Sequence, residues 1–155
     1  MAVARTLLNH AGICVSSIES SREFYEDVVG MKFYRKGNGS SGAWYETLTE
    51  TPGAVSSAII LRSDDFLLQL VEYHEAGIAE AVTGHNRVGN VHFCINVPDV
   101  EQKYAEVTAL GKYRCTEIVS LPGGGLRADG MRSFYAHDPD GIPVEFLQMP
   151  EDYVL

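Results

Sequence analysis

One alternation of apolar and polar positions occurs twice along the chain. Residues 9–19, NHAGICVSSIE, and residues 91–101, VHFCINVPDVE, place apolar side chains at every second position and then shift towards a helical spacing. His10 aligns with His92, Ile13 with Ile95, Val15 with Val97 and Glu19 with Glu101, at a constant offset of 82 residues (92 − 10). Such self-similarity at a fixed offset marks a repeated structural unit.

Each copy predicts the same series of elements. After Ser16 and Ser17, the residues Phe24, Tyr25, Val28 and Val29 give a helix an apolar stripe, and Gly30 stops it. After Pro98, Asp99 reads as an N-cap, Val100, Tyr104, Val107 and Leu110 form the stripe, and Gly111 ends it. Strand-like runs follow at 31–35, 55–61 and 66–73 in the first half, and at 113–119, 131–137 and 142–149 in the second. Neither half carries enough apolar surface to stand alone. The pattern predicts an α+β fold with residues 1–155 as one domain: module 1 about 6–74, a linker about 75–89, and module 2 about 90–149. Side by side, the halves would form one curved sheet with helices on its outer face.

Strand parity then selects what faces the hollow. Ala11, Ile13 and Val15 should pack under the helix, leaving His10, Gly12 and Cys14 on the other side. Val91, Phe93, Ile95 and Val97 should pack likewise, leaving His92, Cys94 and Asn96. In the last strand of each half, Phe66, Leu68 and Leu70 oppose Gln69, and Ile142, Val144 and Phe146 oppose Glu145. The expectation is that His10, Gln69, His92 and Glu145 converge on one cavity.

Composition narrows the function classes. Lys+Arg number 12 against 21 Asp+Glu, a formal charge of −9, with no basic run. Nucleic acid and anionic membrane surfaces are therefore not expected partners. Cys14, Cys94 and Cys115 show no CxxC spacing, which argues against a disulfide scaffold or a thiolate zinc site. No apolar run suits a signal peptide or a bilayer span, so a cytoplasmic protein is expected.

Three segments, NHAGICVSSIESSREFYEDVVGMKF, GNVHFCINVPDVE and YAHDPDGIPVEF, resemble the vicinal oxygen chelate superfamily, which includes glyoxalase I, methylmalonyl-CoA epimerase and extradiol dioxygenases. The resemblance covers nearly the whole chain. It implies paired βαββ modules around a metal-binding cleft, with His10, Gln69, His92 and Glu145 on the four metal-ligand positions. Two imidazoles, an amide oxygen and a carboxylate suit one divalent ion such as Co, Ni, Mn, Zn or Fe. Two open positions on an octahedral ion would let a small-molecule substrate chelate through neighbouring oxygens, its carbonyl polarised and an enolate stabilised. The resemblance also implies a homodimer, since relatives pair modules across chains.

The ligand set is most similar to that of methylmalonyl-CoA epimerase-like members; glyoxalase I has a glutamate where this chain has Gln69. An epimerase, isomerase or lyase needs a base, for which Glu145 and Glu50 are the candidates, although the spacing of Glu50 to Gln69 departs from the epimerase pattern. A ferrous extradiol dioxygenase is the first alternative. Tyr135, ten residues before Glu145, matches its substrate-bonding tyrosine, or is an ordinary half-buried hairpin tyrosine. A non-enzymatic drug-binding protein is the second alternative. His137 shares parity with Glu145 and could face substrate. The glycine-rich 121–130 reads as a mobile lid, with Arg127 as an anchor for an anionic group or simply a solvated arginine. Residues 37–53 read as a second mobile stretch, where Trp44 and Tyr45 close on an apolar substrate or pack on the rim. His74 and His85 read as solvent-facing linker histidines.

Overall fold

The computed structural model describes residues 7–37, 39–64, 66–74, 84–122 and 130–151. The chain forms two compact units, Met1–Ala79 and Glu80–Leu155. The first contains β1 (Ala11–Cys14), α1 (Ile18–Asp27), β2 (Lys32–Lys36), α2 (Ala43–Thr49), β3 (Ser56–Ser63) and β4 (Phe66–Tyr73). The second contains β5 (Phe93–Asn96), α3 (Val100–Ala109), β6 (Val119–Ser120), β7 (Arg132–His137) and β8 (Pro143–Gln148). The fold is α+β, built from two βαβββ-type modules.

The strands make two four-stranded sheets, ordered β1-β4-β3-β2 and β5-β8-β7-β6. This corrects the expectation of one curved sheet. Each module completes its own ladder, because its first strand pairs in parallel with its last: β1 with β4, and β5 with β8. The offset of the sequence repeat survives in the fold. Gly12 lies opposite Gln69 in one module and Cys94 lies opposite Glu145 in the other. Gln69 and Glu145 thus hold equivalent register positions, although their distances from the preceding histidines differ.

The helices start where the caps dictate. The Ser17 side chain accepts from Ser20 N at 3.3 Å, and that of Asp99 accepts from Gln102 N at 2.9 Å. A second acceptor comes from the sheet. Glu72 Oε2 takes the N–H of Ile18 at 2.8 Å, and Gln148 Oε1 takes that of Val100 at 2.9 Å. Two otherwise unpaired helix donors are satisfied in this way.

The predicted core is largely present. Ile13, Val15, Phe24, Tyr25, Val28, Leu68 and Leu70 are buried in the first module. Val100, Val107, Phe134, Val144 and Phe146 are buried in the second. Phe134 stacks on Phe146 at 5.1 Å, with Tyr104 edge-on to Phe134. Val91 and Leu110 are exposed instead of packed, since both lie just outside the elements they were expected to join.

Two other local expectations change. The stretch 37–53 contains α2. Its Tyr45 is buried, with its hydroxyl 2.6 Å from Ser56 Oγ, and this tertiary anchor supports a helix whose glycine N-cap offers no side-chain acceptor. The run at 113–119 yields only an isolated Cys115–Ala136 bridge and the two-residue β6. Among the described residues, no helix is long and apolar enough to cross a membrane.

Candidate metal centre

Parity and register bring the expected donors together in pairs, one pair in each module. In the first, His10 directly precedes β1 and is exposed. Gln69 is half-buried on β4, opposite Gly12. A Cβ at position 12 would lie 3.5 Å from Gln69 Oε1, so the amide oxygen rests over the backbone of β1 on the His10 side. His10 Nδ1 lies 2.7 Å from Asn9 Oδ1. With the ring proton on Nδ1 and donated to Asn9, Nε2 keeps its lone pair.

In the second module, His92 directly precedes β5 and is also exposed. Its Nε2 lies 3.7 Å from Glu145 Oε2. Glu145 is held from both sides: the Ser133 hydroxyl donates to Oε1 at 2.7 Å and the Tyr135 hydroxyl donates to Oε2 at 3.2 Å. Tyr135 is the direct cross-strand partner of Glu145. Burial, and then the Glu145 charge, push the Tyr135 hydroxyl up to about 12, so it stays a donor at neutral pH. The neighbouring Cys94 thiol is pushed up to about 11, again by burial first and the Glu145 charge second. A neutral thiol there is a poor metal ligand.

The donor chemistry fits a divalent cation. Each Glu145 oxygen keeps acceptor capacity beyond the bond it receives. A histidine that bonds an oxygen through one ring nitrogen, as His10 does, is the usual arrangement for ligation through the other. Among the described residues, no three His, Cys, Asp or Glu side chains gather as a group that could hold a metal ion. The expected donors stand as two pairs, His10 with Gln69 and His92 with Glu145, one in each module.

The other expected site residues are placed less uniformly. His137 is buried; its Nδ1 lies 3.2 Å from Arg114 O, while Nε2 is buried without a hydrogen-bond partner. Burial lowers its pKa, favouring the neutral ring. Trp44 is exposed on α2 beside Tyr45. Glu50 is exposed as the C-cap of α2, in the left-handed region at φ 53°. No hydrogen bond or ring contact among the described residues joins Trp44 or Glu50 to His10 or Gln69. Arg127 lies outside the described residues.

Sequence reasoning missed Ser133; His85 is exposed, as expected of a solvent-facing histidine, but its ring contacts were not foreseen. Ser133 was accessible to that reasoning, since it shares strand parity with Tyr135 two residues on. The contacts of His85 were not. Its ring meets Tyr135 edge-on at 4.5 Å and His137 at 5.5 Å, a tertiary contact without a local signal.

The description Glyoxalase/Bleomycin resistance protein/Dioxygenase superfamily matches residues 7–146. The chain belongs to this superfamily. This glyoxalase-superfamily protein is 27% identical over 144 residues to YwbC of Bacillus subtilis (strain 168), covering 91% of this chain and 96% of that protein. Its fold matches a glyoxalase family protein from Bacillus cereus with a TM-score of 0.72 at 17% identity, covering 96% and 97% of the two chains. It also matches the fosfomycin resistance protein FosX from Listeria monocytogenes, solved with Mn(II) and sulfate. There the TM-score is 0.55 at 14% identity, over 96% and 97% of the chains.

Proposed function

We propose that this protein is a metal-dependent epimerase, isomerase or lyase acting on a small carbonyl or acyl substrate. The observation that carries the reading is Glu145, a carboxylate held by Ser133 and Tyr135 with His92 Nε2 beside it. In this reading the pairs His10–Gln69 and His92–Glu145 are the donors for a divalent ion, which would supply Lewis-acid polarisation of the substrate carbonyl. The Mn(II) of the Listeria protein supports a divalent metal.

This chain's own groups do the rest. Ser133 and Tyr135 fix the carboxylate, so that it does not turn between orientations during turnover. Of the four donors only Glu145 is a carboxylate. A proton next to the carbonyl would be removed by a carboxylate base, for which Glu145 and Glu50, the latter at the C-cap of α2, are the candidates. The ligand set is most similar to that of methylmalonyl-CoA epimerase-like members, and an acyl thioester is the first substrate class to try.

Tyr135 supports a second reading, an extradiol-type Fe(II) dioxygenase, because it faces the same carboxylate. Its hydroxyl is engaged by Glu145, which favours a positioning role over a substrate contact. One experiment separates the readings. Metal content is measured in anaerobically purified protein and in His10→Ala and His92→Ala. The metal-loaded protein is then incubated in heavy water with 2-substituted acyl thioesters and 2-hydroxy or 2-keto carbonyl compounds. Oxygen-independent deuterium exchange next to a carbonyl is the expected result. Catechol-dependent oxygen uptake without exchange would establish the dioxygenase. Binding without turnover of any kind would establish a drug-binding protein, and unchanged metal content in both variants would overturn the ligand set.

A further inference from the structure

On the helix-covered face of the first module, Ser57, His74 and Glu72 stand in line. Ser57 Oγ lies 2.9 Å from His74 Nε2, and His74 Nδ1 lies 3.6 Å from Glu72 Oε1. The backbone sets this order. Ser57 and Glu72 are direct cross-strand partners on β3 and β4, and His74 follows two residues after Glu72 on the same face. His74 N donates to Val55 O at 2.8 Å, which extends the ladder and fixes the histidine. All three side chains line an open cavity of about 680 Å³ between α1 and the sheet edge. A cavity of that volume accommodates a small organic molecule.

The fold does not require this set. Glu72 caps α1 through its other oxygen, but in the second module the same cap is made by Gln148, a neutral amide. The cross-strand partner of Gln148 is Arg132, where the first module has Ser57. The position two residues after Gln148 is Pro150, where the first module has His74. Both modules keep the acceptor that the helix needs. Only the first adds a hydroxyl hydrogen-bonded to an imidazole, with a carboxylate oxygen 3.6 Å from the other ring nitrogen.

We propose that Ser57, His74 and Glu72 form a second active site that hydrolyses small neutral or cationic esters. A serine hydroxyl against an imidazole that is oriented by a carboxylate is the arrangement that activates an oxygen nucleophile. With the ring proton on Nδ1, towards Glu72, Nε2 accepts the hydroxyl proton as Ser57 Oγ attacks the ester carbonyl carbon. The new C–O bond forms, the ester C–O bond breaks, and His74 returns the proton to the departing alcohol oxygen. Water then attacks the acyl-serine, again through His74. The acid leaves and Ser57 recovers its hydrogen. No oxidant or metal enters the balance. Lys36, on β2 opposite Ile59, lines the same cavity and offers a cation to the carbonyl oxygen as it gains charge. Glu19, Glu23, Glu26, Asp27 and Glu72 also line it, against one further cation, Arg22, which is paired with Glu26, and this acidity disfavours anionic esters.

The full chain, treated with EDTA, is assayed with 4-nitrophenyl acetate, with acetylthiocholine and with an anionic nitrophenyl hemisuccinate. In parallel it is labelled with a fluorophosphonate and the labelled peptide is located by mass spectrometry. The expected result is EDTA-resistant hydrolysis of the first two substrates and a label on Ser57. Ser57→Ala should fall to the buffer rate, and His74→Gln should lose about 100-fold or more. Glu72→Gln, which keeps the cap, should lose about five- to tenfold in kcat with KM and thermal midpoint unchanged. Absence of hydrolysis and of labelling in the wild-type chain would overturn the proposal, and that result does not depend on any variant folding. Hydrolysis that survives Ser57→Ala, or that EDTA abolishes, would overturn it as well.

Discussion

Tyr135 and Glu145 face each other across the β7–β8 ladder, and the tyrosine hydroxyl donates to the carboxylate at 3.2 Å. Ser133, two residues earlier on β7, holds the other oxygen at 2.7 Å. Groups that orient a ligating carboxylate matter to metal affinity nearly as much as the ligand. Tyr135→Phe and Ser133→Ala are each expected to weaken divalent-metal binding by about 10- to 100-fold. Titration of metal-free protein with Mn(II) or Zn(II) by calorimetry checks this; affinity unchanged in both would remove Glu145 from the ligand set.

Glu72 and Gln148 make equivalent caps on the two principal helices. Glu72→Ala should cost about 1 kcal/mol by leaving the Ile18 N–H without its acceptor. Glu72→Gln should cost little. Urea unfolding of both variants measures the difference, and an equal loss would show that the charge, not the acceptor, stabilises α1.

Phe146 is fully buried, stacked on Phe134 at 5.1 Å and covered by the Lys103 ammonium at 5.5 Å. Phe146→Ala should destabilise the second module by about 3–5 kcal/mol. Hydrogen exchange resolves whether β5 and β7 lose protection first, as the packing requires.

The Tyr73 hydroxyl is pushed up to about 12, first by its hydrogen bond with Tyr45, then by burial and the Tyr45 charge. The folded state therefore holds this proton where an unfolded tyrosine has released it. Its stabilising contribution is complete below about pH 10 and is lost as pH rises through about 12. Tyr45→Phe should flatten that alkaline loss of stability and move one tyrosine to a lower midpoint in an ultraviolet titration.

A homodimer is expected, because each four-stranded sheet has two edges to cover and the superfamily resemblance implies pairing of chains. Sedimentation at micromolar concentration should give a mass near 34 kDa, twice the 17.0 kDa chain. A 17.0 kDa species would overturn this.

Much of the architecture was legible in the chain itself. Period-two alternation distinguishes buried from open strand faces without any tertiary information, and so Ile13, Leu68, Leu70, Val144 and Phe146 were all placed in the core. The caps at Ser17 and Asp99 are local hydrogen bonds, and they set the helix starts. The repeat then carried the first module's reading onto the second. The equivalence of Gln69 and Glu145 followed from parity, and the strand register agrees with it.

Other features depended on contacts between residues distant in sequence. Helix α2 has no side-chain cap and is held by Tyr45 against Ser56, eleven residues away, so local propensity gave no sign of it. Whether strands join one sheet or two depends on which strands pair, and periodicity does not encode partners. His85 reaches Tyr135 and His137 across some fifty residues. His74 reads as a linker residue in sequence, and only the pairing of β3 with β4 sets it against Ser57 and Glu72. Periodicity is a property of one strand, whereas a constellation of side chains is a property of neighbouring strands, and their register exists only once the sheet has formed.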